Sequence, residues 1–136
     1  MEPYVHKVQY YETDRMGISH HSNYVRWMEE ARIYYLDQIG WSYHKFEEEG
    51  IISPITSIHC DYKKTTTFMD KVFIEVSVGS FKGVKLILNY KMTNENGELV
   101  CTGSSESCFL NNDEKIVNMR REYPDFYILL NSLAEK

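Results

Sequence analysis

At 136 residues the chain has the size of one ordinary domain, enough to bury about 70% of the surface its unfolded form exposes. A composition 43% hydrophobic and 26% charged excludes a disordered chain, and no apolar run reaches the roughly 20 residues that span a bilayer. The net charge of −5 argues against a duplex nucleic-acid partner, which calls for a basic face.

Residues 4–11, YVHKVQYY, alternate Tyr4, His6, Val8 and Tyr10 with Val5, Lys7, Gln9 and Tyr11, a period of two that predicts a strand. Residues 23–39 change the period. Tyr24, Trp27, Met28, Ala31, Tyr35 and Ile39 recur at three- and four-residue steps, Val25, Ile33 and Leu36 widen the stripe, and Arg26, Glu29, Glu30 and Asp37 keep a narrow polar face. That is a helix covered on much of its circumference, with Ser22 or Asn23 as its N-cap and Gly40 just past its end. A short second helix is expected over 42–50, capped by Ser42 and stopped by Gly50.

From there the period returns to two. Ile58, Cys60 and Tyr62, then Val72, Ile74, Val76 and Val78, then Val84, Leu86, Leu88, Tyr90 and Met92 mark three strands, and 98–110 a fourth. The turns SFKG (80–83) and NENG (94–97) predict antiparallel hairpins. A short helix over about 122–134, interrupted early by Pro124, closes the chain. No repeat or linker divides it, so one domain over 1–136 is expected. The architecture is α+β, an antiparallel sheet curled around one long apolar helix.

The stretch ETDRMGISHHSNY (12–24) carries more polar chemistry than a helix entry needs. Three readings compete. Ser22 and Asn23 as caps, Gly17 as a turn and Asp14 as a backbone acceptor would make it purely structural. Asp14, His20 and His21, joined by His59 and Cys60, could hold a metal, but adjacent histidines rarely face one ion and no HxH, HxxxH or CxxC spacing occurs. In the third reading the helix N-terminus offers unpaired amides for a developing oxyanion, and Asp14 a carboxylate to attack or to activate water.

The segment YYETDRMGISHHSNYVRWMEEAR resembles the start of hotdog-fold acyl-CoA thioesterases of the 4-hydroxybenzoyl-CoA thioesterase type. Tyr11, Thr13, Asp14, Gly17, Asn23 and Tyr24 carry the resemblance, and DYKKTTTFMDKVFIEV, with Asp70 before a β-rich run, extends it. The resemblance implies a hotdog fold and hydrolysis of an acyl-CoA thioester with Asp14 as nucleophile or general base. It further implies that the backbone amide of His21 binds the thioester oxygen, with the His21 ring assisting, and that Gly17, Asn23 and Tyr24 belong to the substrate site. His20 lacks such support and is expected at the surface. Met16 stands where related chains often carry a small residue; it either narrows the acyl pocket or packs, and packing is the simpler expectation.

Coenzyme A bears phosphates, so basic residues should ring the entrance: Lys63 and Lys82 foremost, with Lys64 and Lys85, unless these are ordinary solvated lysines. Trp27, Tyr34 and Tyr35 are expected in the core unless one of them lines the acyl tunnel, and Asp61 and Asp70 in structural roles unless the sheet brings Asp61 close enough to serve as a second carboxylate. No GxSxG accompanies Ser105, which argues against a serine hydrolase. No metal or organic cofactor is expected. A homodimer or homotetramer is, because a small curled sheet leaves exposed edges. Three cysteines without CxxC spacing and no signal-peptide pattern in MEPYVHKVQYYE suggest the cytoplasm. The rivals are a non-catalytic thioester-binding module, a dehydratase of the same fold, and a thioesterase acting on acyl-carrier-protein esters.

Overall fold

A computed structural model describes residues 2–134. The elements run β1 (Tyr4–Lys7), α1 (Ser22–Gln38), α2 (Tyr43–Glu48), β2 (Ile55–Tyr62), β3 (Lys71–Phe81), β4 (Leu86–Thr93), β5 (Leu99–Ser107), α3 (Met119–Glu122) and α4 (Pro124–Leu133). The strands form one sheet in the order β1-β3-β4-β5-β2. β1 is antiparallel to β3, with Tyr4 opposite Ile74 and Lys7 opposite Lys71. The connections after β3 and β4 are too short for a crossover, so both pairs are hairpins. Along β2 and β5 the partners run in opposite directions: Ile52 bridges Leu110, Thr56 Oγ1 donates to the Glu106 carbonyl, and Lys63 N donates to the Val100 carbonyl. The expected α+β class and hairpins are present.

The chain separates into two compact units, and the division cuts across β2, β3, β4 and β5. The first holds the chain up to Tyr35 with Cys60–Val76 and Tyr90–Gly103. Here α1 buries Tyr24, Trp27, Met28 and Ala31 at helical spacing. Its side chains reach both outermost strands. The Tyr34 ring lies 5.6 Å from that of Tyr4 and the Trp27 ring 4.7 Å from that of His6, both on β1. Met28 Sδ accepts from Cys60 Sγ at 3.4 Å, and the Tyr24 ring lies 5.1 Å from that of Tyr62, both on β2. One helix can touch both edges of a five-stranded sheet only if the sheet curls around it. The facing strands alternate accordingly: Val72 and Ile74 on β3, and Tyr90 and Met92 on β4, are buried.

The second unit holds Leu36–His59, Ser77–Asn89 and the chain from Ser104 onward. Its core is aromatic. The Phe126 ring lies 4.8 Å from Trp41, 5.5 Å from Phe46, 5.7 Å from Phe81 and 5.6 Å from Phe109, mostly edge to face. α2 has the expected cap, Ser42 accepting from Lys45 N, and Gly50 at φ +70° ends it. The single C-terminal helix expected over 122–134 is two: Asn118 caps α3, which stops at Glu122, and α4 begins at Pro124, where a missing N–H is harmless.

The first strand also ends earlier than its alternation suggests. Gln9 N donates to Glu12 Oε1, which draws Tyr10–Glu12 into a 3-10 turn and leaves Tyr10 and Tyr11 exposed. Among the described residues no helix is long and apolar enough to cross a membrane.

Candidate active site

Residues 13–19 form a tight loop closed by an antiparallel bridge between Thr13 and Ser19. Within it Asp14 N donates to the Ile18 carbonyl and Gly17 N to the Asp14 carbonyl, both at 2.9 Å. Gly17 sits at φ +79°, a conformation that L side chains adopt only with strain, and its carbonyl accepts from Thr67 Oγ1. The loop therefore requires glycine there and is pinned from outside. Asp14 Oδ1 accepts from Met16 N at 2.8 Å, which fixes the carboxylate; Oδ2 has no partner among the described residues.

The start of α1 is built differently from the expectation. Ser22 is already helical, and the His20 ring does the capping, its Nδ1 accepting from Ser22 N at 3.2 Å and pairing with Ser22 Oγ at 2.9 Å. Asn23 is buried and braces the loop: its Nδ2 donates to the Glu12 carbonyl at 2.8 Å and to the His20 carbonyl, and its Oδ1 accepts from Arg26. The His21 carbonyl accepts from Tyr62 Oη at 3.1 Å. The His21 N–H engages no acceptor among the described residues and stands at the positive end of a 17-residue helix.

Glu12 ties the loop to the start of α1. Its Oε1 accepts from Gln9 N and bonds His6 Nε2, both at 2.8 Å, and its Oε2 accepts from Trp27 Nε1 at 2.7 Å. Its carbonyl also accepts from His20 N at 2.9 Å. Burial alone would raise its pKa, but the Gln9 amide, His6 and Trp27 together outweigh burial and hold it below the usual glutamate range. The other face of the His6 ring lies against Glu30, Nδ1 to Oε2 at 3.0 Å.

Asp14, Ser19, His21, Tyr24, Tyr62 and Lys63 line one cavity of about 280 Å³, with Lys64 beside them. Lys63 N and Lys64 N both donate to the Val100 carbonyl, a bulge at the end of β2 that puts two consecutive side chains on the cavity wall. Lys64 is paired with Glu98. Burial raises the Tyr24 hydroxyl, and burial reinforced by Cys60 pushes Tyr62 up to about 12, so both phenols stay protonated donors near neutral pH.

Of the residues singled out from the sequence, Asp14, His21, Tyr24 and Lys63 are thus brought together. Gly17 shapes the loop and Asn23 braces it, and neither lines the cavity. Lys82 is an exposed residue of the turn after β3 and does not line it either. Met16, expected to pack, is 76% exposed at the cavity edge. Trp27 is in the core as expected. Sequence reasoning missed Ser19, Tyr62 and Glu12. Glu12 beside Thr13 and Asp14 looks like any loop acid, and only its burial against Trp27 distinguishes it. Among the described residues no group of three or more His, Cys, Asp or Glu is placed to hold a metal ion.

A carboxylate with one oxygen fixed and one open can promote attack on a carbonyl, and an unused amide at a helix N-terminus lining the same cavity can hold the oxygen that becomes negative. Comparison with known proteins points the same way. A family model described as thioesterase-like superfamily matches residues 8–127. A Bacillus subtilis protein provisionally named acyl-CoA thioesterase YneP is 32% identical over 89% of this chain and 88% of its own. The crystal structure of a DHNA-CoA thioesterase from Staphylococcus aureus is 34% identical, covers 96% of this chain and 89% of its own, and superposes with a TM-score of 0.91. A gentisyl-coenzyme A thioesterase is 26% identical over 89% of this chain and 98% of its own, with a TM-score of 0.81.

Proposed function

The chain belongs to the thioesterase-like superfamily and has its hotdog fold, and from that premise we propose that it hydrolyses an acyl-CoA thioester to a carboxylic acid and free coenzyme A. The observation that carries the reading is that Asp14 and His21 line the same cavity, the first bringing a carboxylate and the second a helix-entry N–H that engages no acceptor among the described residues. The thioester carbonyl takes the His21 N–H. Asp14 either attacks the carbonyl carbon or removes a proton from the water that does. The carbon–sulfur bond then breaks, and the thiolate leaves and takes a proton; on the attack route water then hydrolyses the anhydride left on Asp14, which frees the acid and restores the carboxylate. Thioesters suit this machinery because sulfur donates little into the carbonyl and thiolate is a good leaving group. No cofactor enters the reaction as proposed. Tyr24 and Tyr62 form the apolar part of the acyl site, and the Lys63 ammonium meets the phosphates of coenzyme A.

The test is a panel of aromatic and aliphatic acyl-CoAs, scored by release of free thiol; the named substrates of the S. aureus and gentisyl relatives make CoA esters of hydroxylated acids a natural part of it. The wild type should turn over at least one ester. Asp14→Asn, nearly isosteric, should lower kcat by ~10² or more while leaving the melting curve in place. Thiol release at the wild-type rate by the Asn variant removes Asp14 from the mechanism. Saturable binding across the panel without release makes the protein a thioester-binding module instead.

A further inference from the structure

Behind the cavity wall three buried hydroxyls are connected in series. Tyr24 Oη lies 3.0 Å from Thr66 Oγ1, and Thr66 Oγ1 donates to Ser19 Oγ at 2.7 Å. Thr66 has one hydroxyl proton and gives it to Ser19, so Tyr24 must donate in the first bond. The burial that raises the Tyr24 pKa keeps that proton in place. The series has a direction: Tyr24 to Thr66, Thr66 to Ser19. Its last proton, on Ser19, meets no acceptor among the described residues. Ser19 is 6% exposed, yet it lines the cavity beside Asp14 and His21. A buried hydroxyl donor with its proton unmatched is unfavourable, and a ligand acceptor in the cavity removes that penalty.

The position limits what the acceptor can be. Ser19 makes no bond to Asp14, and the loop hydrogen bonds through Met16 N and Ile18 hold Asp14 in its own place. Every acyl thioester, whatever its chain, brings one good acceptor to the reacting centre, the carbonyl oxygen; thioester sulfur is a poor one. We propose that Ser19 Oγ is a second donor to that oxygen, beside the His21 N–H, with its proton oriented by the Tyr24–Thr66 series. The inference rests on the thioesterase reading and deepens it. As the carbonyl carbon becomes tetrahedral its oxygen gains negative charge, and a pre-oriented hydroxyl strengthens its bond to it without rearranging. Ser19 is then a catalytic donor and Thr66 a positioning residue that acts through it.

The experiment measures kcat and KM separately, on the best acyl-CoA of the panel, for Ser19→Ala, Ser19→Thr, Thr66→Val and Thr66→Ser, with Asp14→Asn alongside. Loss of one oxyanion donor predicts that Ser19→Ala lowers kcat by ~10² while KM changes less than about threefold. Ser19→Thr, which restores a hydroxyl, should recover most of the loss. Thr66→Val should lower kcat by about tenfold, within the reach of losing orientation but not the donor itself, and Thr66→Ser should not. A Ser19→Ala enzyme with kcat within about twofold of wild type, or one whose loss lies in KM alone, overturns the proposal. Should Ser19→Ala fail to fold, equal kcat for the Thr66→Val and Thr66→Ser enzymes overturns it just as well. If Asp14→Asn is inactive and Ser19→Ala is normal, only the Ser19 assignment falls. If Asp14→Asn is fully active, only the Asp14 assignment falls; if the wild type releases thiol from no ester of the panel, the thioesterase reading falls and the Ser19 proposal with it.

Discussion

Glu12 shows how much one side chain can organise. Its carboxylate receives three donors from three parts of the chain, and its carbonyl receives His20 N and Asn23 Nδ2, so the loop bearing Asp14 and the entrance to α1 share one anchor. Glu12→Gln keeps the shape but replaces one acceptor with an amide donor that faces another donor. The expected outcome is a loss of about 1.5–3 kcal/mol, read from urea denaturation at neutral pH. The pH dependence follows from the lowered pKa. A carboxylate held below its unfolded value of 4.5 contributes stability that is full above that value and disappears as pH falls through the folded one. The gap between wild type and the Gln variant should therefore be widest near neutrality and close on acidification below about 4.5. A gap constant from pH 7 to 3 would show that Glu12 does not act through its charge.

At the scale of elements, periodicity made α1 and the two hairpins legible, because burying one face leaves its signature at every third and fourth residue of a helix or every second of a strand. The end of β1 was not legible, since Tyr10 and Tyr11 continue the alternation and only the pull of a buried Glu12 turns the chain there. The cap of α1 is not legible for a similar reason: Ser and Asn are good caps in isolation, but here the helix already includes Ser22 and the His20 ring accepts from its N–H. α4 is short and depends on packing. Phe126, fully buried among four aromatic rings, is its main attachment, so Phe126→Ala should cost about 3–5 kcal/mol in urea denaturation. A loss below 1 kcal/mol would mean that α4 is held elsewhere. The turn after β3 meets α3 closely: Gly83 lies at φ +112°, its carbonyl accepts from Met119 N, and a Cβ there would stand 2.6 Å from Asn118 Oδ1. Gly83→Ala should accordingly lower the melting temperature by several degrees, since strain at that φ adds to the displaced cap.

For the whole molecule, the exposed surface points to self-association. β2 is an eight-residue edge strand whose side chains are mostly exposed, Ile58 and Tyr62 among them, and an unpaired edge of that length invites another strand. Tyr10, Tyr11 and Phe68 are further large apolar side chains left in solvent. We expect a homodimer or homotetramer, so sedimentation equilibrium should give an integral multiple of the 16.1 kDa chain. Ile58→Lys on the edge strand should shift the distribution toward the single chain, and a wild type that sediments at 16.1 kDa at all concentrations would remove the expectation.

The amino-acid sequence by itself determined the periodic elements, the α+β class and the loop motif around Asp14 and Gly17, because each depends on residues close together in the chain. What it could not decide is which distant groups meet that loop. Tyr62 and Thr66 come from 41 and 42 residues beyond their partners His21 and Tyr24, and Lys63 arrives on a bulge set by Val100. The burial of Glu12 likewise depends on Trp27 and His6 closing over it. Such meetings follow from how the sheet curls around α1, a property of the packed chain that no local pattern encodes.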